Sequence, residues 1–221
     1  GLRDADPARQ PDRLARLVLE GCFARGEPLT AVTLSNPLAE VRIQDSLIVG
    51  GSTGSLFDIT PAIDPVPRPQ RTLRLIRSTL VTRGDFLAMD GTATSNMPTV
   101  PFDFKLLDSI VACAAQGSAR KLLKLKAWPD LSGAIDKGNL DERSSLYTGW
   151  GENLIYSGVG GKIVAKNAED WLKAWRLDAG DTQIRSDTWP TESMDDLSKV
   201  SASSFDPQEI AAGIQSRLGE A

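Results

Sequence analysis

The chain contains no histidine. That removes the side chain most used as a general acid or base near neutral pH, and the commonest nitrogen ligand of metal ions. No Ser–His or Cys–His nucleophile can therefore be assembled within these 221 residues. Cysteine is nearly as scarce. Cys22 and Cys113 are the only two, too few to close a four-ligand zinc site. No apolar run approaches the ~20 residues that cross a bilayer as a helix; the longest, such as 110–115, have the length of a core strand. Neither sign of charge dominates: 25 Lys and Arg stand against 29 Asp and Glu, a net charge of −4. Nothing in that balance points to nucleic acid or to insertion in a membrane. The opening "GLRDADPARQ" carries no Met and no secretory leader, which reads as a piece trimmed from something longer.

What the chain has in abundance is repetition. Four times, two apolar residues stand five and three positions before a small one: Leu17 and Leu19 before Cys22, Val41 and Ile43 before Ser46, Leu73 and Leu75 before Ser78, Phe104 and Leu106 before Ser109. A degenerate fifth copy puts Asn153 after Thr148 and Trp150. Alternation of this kind is the period-two signature of a strand with one buried face. A glycine follows each copy (Gly26, Gly50, Gly84, Gly117, Gly158), and after it comes a second short apolar stretch, at 29–34, 56–59, 86–89, 121–128 and 162–165. Each unit is expected to be strand, turn, strand and a loop of variable length, with the proline-rich 60–70 and the polar 90–101 as loop insertions.

A β-sandwich also has short strands punctuated by turns. It has no need of the same small residue at the same phase in every unit. Stacked coils do, because equivalent positions lie directly above one another about 4.8 Å apart. The expected fold is all-β in the main: a right-handed parallel β-helix of about five coils, with a C-terminal amphipathic helix as its cap and a second terminal helix. The phrases "LVLEGCFARG", "VRIQDSLIVGG", "LRLIRSTLVTRGDFLAMDG", "GWGENLIYSG" and "DWLKAW" carry a resemblance over residues 14–176. They resemble right-handed parallel β-helix segments near the end of large, uncharacterised planctomycete proteins. The resemblance implies a bacterial source and a fold, and implies no activity.

The ends read differently. Residues 1–13 are polar and proline-punctuated, an N-terminal extension or linker; 14–177 would form the β-helix with its cap; 178–221 form a polar tail. In "NAEDWLKAWRL" (167–177), Asn167 is placed to N-cap a helix whose Ala168, Trp171, Leu172 and Trp175 share one face. In the tail, Asp206, Pro207 and Glu209 mark the start of a helix over 207–218 with Ile210, Ile214 and Leu218 on one stripe.

Candidate chemistry is sparse. Many parallel β-helices act on polysaccharides by pairing carboxylates with Arg or Lys. The one position where such groups recur in phase is the residue before the small one: Asp45, Arg77 and Asp108, with Gly21 ahead of them. This column is either a site or a ladder of alternating charge on a solvated face. Glu20, Arg25, Arg83 and Asp85 border turns and read as solvated charges, and the carboxylates of "MDDL" (194–197) read as tail. The serine column reads as interior stacking, Tyr147, Trp150 and Tyr156 as packing against Trp171 and Trp175, and the cysteines as buried free thiols. With Cys22 and Cys113 three coils apart, about 14 Å, a disulfide is out of reach. No cofactor and no metal is expected. The functional expectation is a structural or interaction module whose partner is another protein, preceding coils of a parent chain, or a second copy. A carbohydrate-active module binding polysaccharide is the alternative, and fold analogy favours the cell envelope or exterior.

Overall fold

The computed structural model describes residues 14–27, 29–60, 70–90, 102–114, 120–126, 138–157, 162–177 and 183–185. Over these residues the chain is mostly strand, the sheets are parallel, and there is one short helix. The first unit supplies β1 (Ala15–Glu20), β2 (Phe23–Gly26) and β3 (Val32–Leu34), and the second β4 (Leu38–Gln44), β5 (Leu47–Gly50) and β6 (Ser55–Ile59). The third supplies β7 (Gln70–Ile76), β8 (Thr79–Thr82) and β9 (Asp85–Asp90). The fourth supplies β10 (Phe102–Leu107), β11 (Ile110–Cys113) and β12 (Leu123–Lys126). The fifth supplies β13 (Gly138–Arg143), β14 (Leu146–Thr148) and β15 (Ile155–Ser157). After it come β16 (Lys162–Ala165), the helix α1 (Ala168–Trp175) and β17 (Gln183–Arg185).

Each unit gives one strand to each of three sheets. The first sheet runs β1-β4-β7-β10-β13, the second β2-β5-β8-β11-β14-β17, and the third β3-β6-β9-β12-β15-β16. Pairing is parallel throughout except for β16, which joins β15 antiparallel. Two readings from sequence are corrected here. The unit has three strands, not two, because the apolar residues just after the small one (β2, β5, β8, β11 and β14) form a strand of their own. The fifth copy of the phrase is centred on Ser145 rather than Asn153, with β13 in register with β10. Its inward residues are Leu140 and Glu142, and the glutamate breaks the apolar pattern that would have revealed it.

Register explains the core. Leu17, Val41, Leu73, Phe104 and Leu140 are mutual partners across the first sheet, and Leu19, Ile43, Leu75, Leu106 and Glu142 form the next inward row. From the second sheet come Ile48, Leu80, Val111 and Tyr147, and from the third Leu56, Phe57, Phe86, Leu87 and Leu123, all nearly or fully buried. Phe86 sits at the hub of an aromatic group, 5.4 Å from Phe57, 6.0 Å from Phe104 and 6.4 Å from Trp150 between ring centres. One buried residue is a cation. Arg71 is 2% exposed and donates to the carbonyls of Ser35 (2.9 Å), Asn36 (2.9 Å) and Thr60. Desolvation pulls its pKa down to about 10.

The corner between the first and second sheets accounts for the repeated phrase. Gly21, Asp45, Arg77, Asp108 and Ser144 all have left-handed backbone, with φ from 46° to 59°. The small residue that follows completes the turn. Each serine hydroxyl donates to the carbonyl two residues earlier: Ser46 to Gln44 (2.7 Å), Ser78 to Ile76 (2.9 Å), Ser109 to Leu107 (2.8 Å), Ser145 to Arg143 (2.9 Å). The same oxygen accepts a backbone N–H from the unit before, along the series Cys22, Ser46, Ser78 and Ser109 at 3.1–3.3 Å. The column thus joins backbone to side chain, not hydroxyl to hydroxyl. It carries the hydrogen-bond ladder through a bend where sheet pairing is interrupted.

The helix α1 begins where the sequence puts it. The Asn167 side chain accepts from the Asp170 N–H at 2.9 Å, and the Asp170 carboxylate accepts from the Lys166 N–H at 3.0 Å. Arg176, left-handed at φ 57°, ends it. Its buried Trp171 lies 5.5 Å from Tyr147 and 5.9 Å from Trp175 between ring centres. Neither cysteine is in a disulfide; Cys113 is buried as expected, whereas Cys22 at the edge of the first unit is only half-buried. The 1–13 extension, the "MDDL" carboxylates and the 207–218 helix lie outside the described residues.

Candidate functional site

The corner column brings Asp45, Arg77 and Asp108 to successive units, as the repeat requires. Their common backbone state is the first thing they share. A left-handed corner favours glycine, and Asp and Asn enter it more readily than most residues. Two of the three candidates are thus aspartates at a position where backbone conformation alone selects for them. The side chains point to solvent. Arg77 grips Asp45 through two parallel bonds, Nε to Oδ1 at 2.7 Å and Nη2 to Oδ2 at 2.8 Å. Gln44 adds a third at 2.9 Å. The Arg77 bond, then that of Gln44, holds the Asp45 carboxyl below the usual carboxylate range. The Asp45 contact in turn raises Arg77, with a smaller push from Asp108 and Glu20. With 53% and 41% of the Arg77 and Asp45 side chains exposed, this is a salt-screened surface pair. Neither carboxylate has the desolvated setting that tunes a general acid or base.

The outer face of the first sheet continues the mixed pattern. Glu40 links Arg16 (2.9 Å) and Arg74 (3.5 Å), and Asp141 links Lys105 (3.4 Å) and Arg143 (3.6 Å). Charges of both signs interleave across adjacent strands, as cross-strand pairing favours.

Two polar groups escaped the sequence reading. Asp85, expected as a solvated turn charge, is buried; its carboxylate accepts from the Lys121 N–H (2.9 Å) and from Lys124 Nζ (2.9 Å). Lys121 Nζ in turn donates to Asn153 Oδ1 (3.0 Å) and stands 5.0 Å above the Tyr156 ring. Burial lowers the Lys121 pKa against the pull of Asp85. These hydrogen bonds join residues 32 to 39 positions apart, which meet only because three units stack.

The second group is Glu142. Its Oε1 accepts from the Tyr147 hydroxyl, while Oε2 and the Trp171 indole nitrogen are both buried without a hydrogen-bond partner among the described residues. Desolvation raises the carboxyl to about 7, opposed by Tyr147 and then by the nearby Trp171. Burial, reinforced by Glu142, drives the Tyr147 hydroxyl well above its ordinary value. Among the described residues no group of three His, Cys, Asp or Glu side chains could hold a metal ion, and no helix is long and apolar enough to cross a membrane. No family model, curated protein or solved structure matches the chain.

Proposed function

We propose that the units are coils of a right-handed parallel β-helix, and that the chain is a non-catalytic structural or interaction module of a larger protein or assembly. Support for the coil comes from the sheet orders, each advancing by three strands from the first unit to the fifth with the inward rows in register. Its hand follows from the strong right-handed preference of parallel crossover connections. Kinship with the coils of large planctomycete proteins and an envelope or extracellular setting are part of the same proposal.

One observation carries the functional reading. All three sheets end at the same unit, and β1, β2 and β3 have no strand on their far sides among the described residues. Strand edges left open are templates for another polypeptide: a protein partner, or preceding coils of a parent chain. At the opposite end α1, β16 and β17 supply the closing elements of a capped solenoid.

The carbohydrate-active alternative has one feature in its favour, the half-buried Lys121 beside Asn153 and Tyr156. The chain, incubated with polygalacturonate, alginate, pectin and xylan, is expected to release neither unsaturated products nor new reducing ends. Turnover that disappears in Arg77→Ala or Lys121→Ala would overturn the module reading.

A further inference from the structure

We infer that the outer face of the second sheet is a docking face, and that its occupant is this chain's own C-terminal segment, the helix that the sequence marks at 207–218. The inference goes beyond the reading of the chain as an interaction module, and it holds or fails separately from that reading.

The face is built by register. Ile48, Leu80, Val111 and Tyr147 of the second sheet turn into the core, so the residue after each turns outward. Those residues are Val49, Val81, Ala112 and Thr148, aligned in one row across β5, β8, β11 and β14. An outward row of the first sheet reads Arg42, Arg74, Lys105 and Asp141, the composition of a face left to water. The row on the second sheet is apolar at its first three positions, and Val49, Val81 and Ala112 are each 0% exposed. With Ala114 they form a hydrophobic cluster apart from the core. Among the described residues, the partly buried hydrophobic ones packed on it are Leu47 and Ile110, which stand in the next outward row of the same sheet. Neighbours in one plane screen the flanks of a side chain, not its tip. Complete burial of three adjacent outward positions requires a second layer over the sheet.

Connectivity and composition select that layer. β17 is the last strand of the second sheet and pairs with β14, so the chain beyond Arg185 departs from this sheet. From β17 to β8 is three strand spacings, about 14 Å, which about five extended residues span; residues 186–206 supply several times that length. The insertions at 61–69, 91–101 and 127–137 connect the third sheet to the first, and so begin and end away from the second, while 115–119 joins β11 to β12 within one unit. Ile210, Ile214 and Leu218 recur every four residues. On a helix they make one stripe about 12 Å long, against about 10 Å from Val49 to Ala112. Ala211 borders the stripe and permits close approach to a face whose own side chains are small, while Gln208, Gln215 and Ser216 fall on the opposite side of the helix, towards water.

The test is a disulfide trap in the full chain, with circular dichroism as the check on folding. In a Cys22→Ser background, Val81→Cys combined with Ile214→Cys should close an intramolecular disulfide on mild oxidation, because side chains in van der Waals contact bring the two sulfurs within reach. The readouts are an intact mass lower by two hydrogen atoms and a linked peptide pair that contains positions 81 and 214. Val81→Cys combined with Ser216→Cys, on the far side of the helix, should stay reduced. Independently, Ile210→Asp with Ile214→Asp should lift the helix from the sheet and raise the fluorescence of the apolar dye ANS by about twofold or more, with the strand signal retained. A folded Val81→Cys, Ile214→Cys chain that stays reduced overturns the proposal. So does an Asp pair that leaves dye binding unchanged. Val81→Cys alone cross-linking into a dimer also overturns it, since the occupant is then a second copy. Polysaccharide turnover would remove the module reading and leave this docking standing, whereas a failed trap would remove the docking and leave the module reading.

Discussion

At the scale of single residues, the same corner serves two unrelated purposes. The left-handed residue has an exposed side chain free to vary, and the chain uses Gly, Asp, Arg, Asp and Ser there. The residue after it has no such freedom, because its hydroxyl both donates and accepts. Ser78→Ala strands the buried Ser46 N–H and takes from the Ile76 carbonyl one of its two donors, leaving the Asp45 N–H, and is expected to cost about 1–3 kcal/mol in urea unfolding. Asp45→Ala, by contrast, should leave the unfolding midpoint nearly unchanged, since it breaks only an exposed pair. Glycines divide along the same line. A Cβ on Gly21 meets nothing within 4 Å, and only its φ of 59° resists substitution. A Cβ on Gly84 falls 2.6 Å from the Gly54 carbonyl oxygen, where backbone itself must shift.

At the scale of elements, the junction of β13, β14 and α1 is where the pattern is broken on purpose or at a cost. Glu142 occupies an inward row otherwise filled by Leu19, Ile43, Leu75 and Leu106. Its carboxyl is raised from 4.5 to about 7 in the folded chain. Below about 4.5 both states hold the proton; between 4.5 and 7 only the folded state does. Stability therefore falls as pH rises through that window and stays low above it. The loss is on the order of 3 kcal/mol for a shift of this size. Urea unfolding at pH 5 and pH 8 should show it, and Glu142→Gln should flatten the difference. An unchanged slope in Glu142→Gln would place the titrating group elsewhere. The helix itself was plain in the sequence: the Asn167 cap and the two Trp residues are local features that survive unchanged in the fold.

At the scale of the whole molecule, a stack of like units makes position along the stack an energetic variable. Equivalent residues differ in burial because the middle units have neighbours on both sides. Leu75 in the third unit is fully buried, while Leu19, its counterpart in the first, is only partly so. Leu75→Ala is expected to cost about 2–5 kcal/mol, and Leu19→Ala distinctly less in the monomer. If the two cost the same, the first unit is covered, by another copy or by another part of the chain.

The sequence alone determined that small and apolar residues recur at one phase, and hence that β-structure stacks with like residues in columns. It also located the Asn167 helix start and placed Asp45, Arg77 and Asp108 in one column. These are local matters of spacing and period. Only the tertiary structure decided that each unit bends into three strands, because the second strand is too short to show an alternation of its own. Only it centred the fifth unit on Ser145, since Glu142 hides that unit from any apolar pattern. The buried Arg71 and the Asp85–Lys121–Asn153 contacts were likewise invisible, being made between residues tens of positions apart that meet only when units stack. The charged column turned out to be a corner for the same reason: sequence shows which residues align, and the backbone dihedral at the bend decides which way their side chains face.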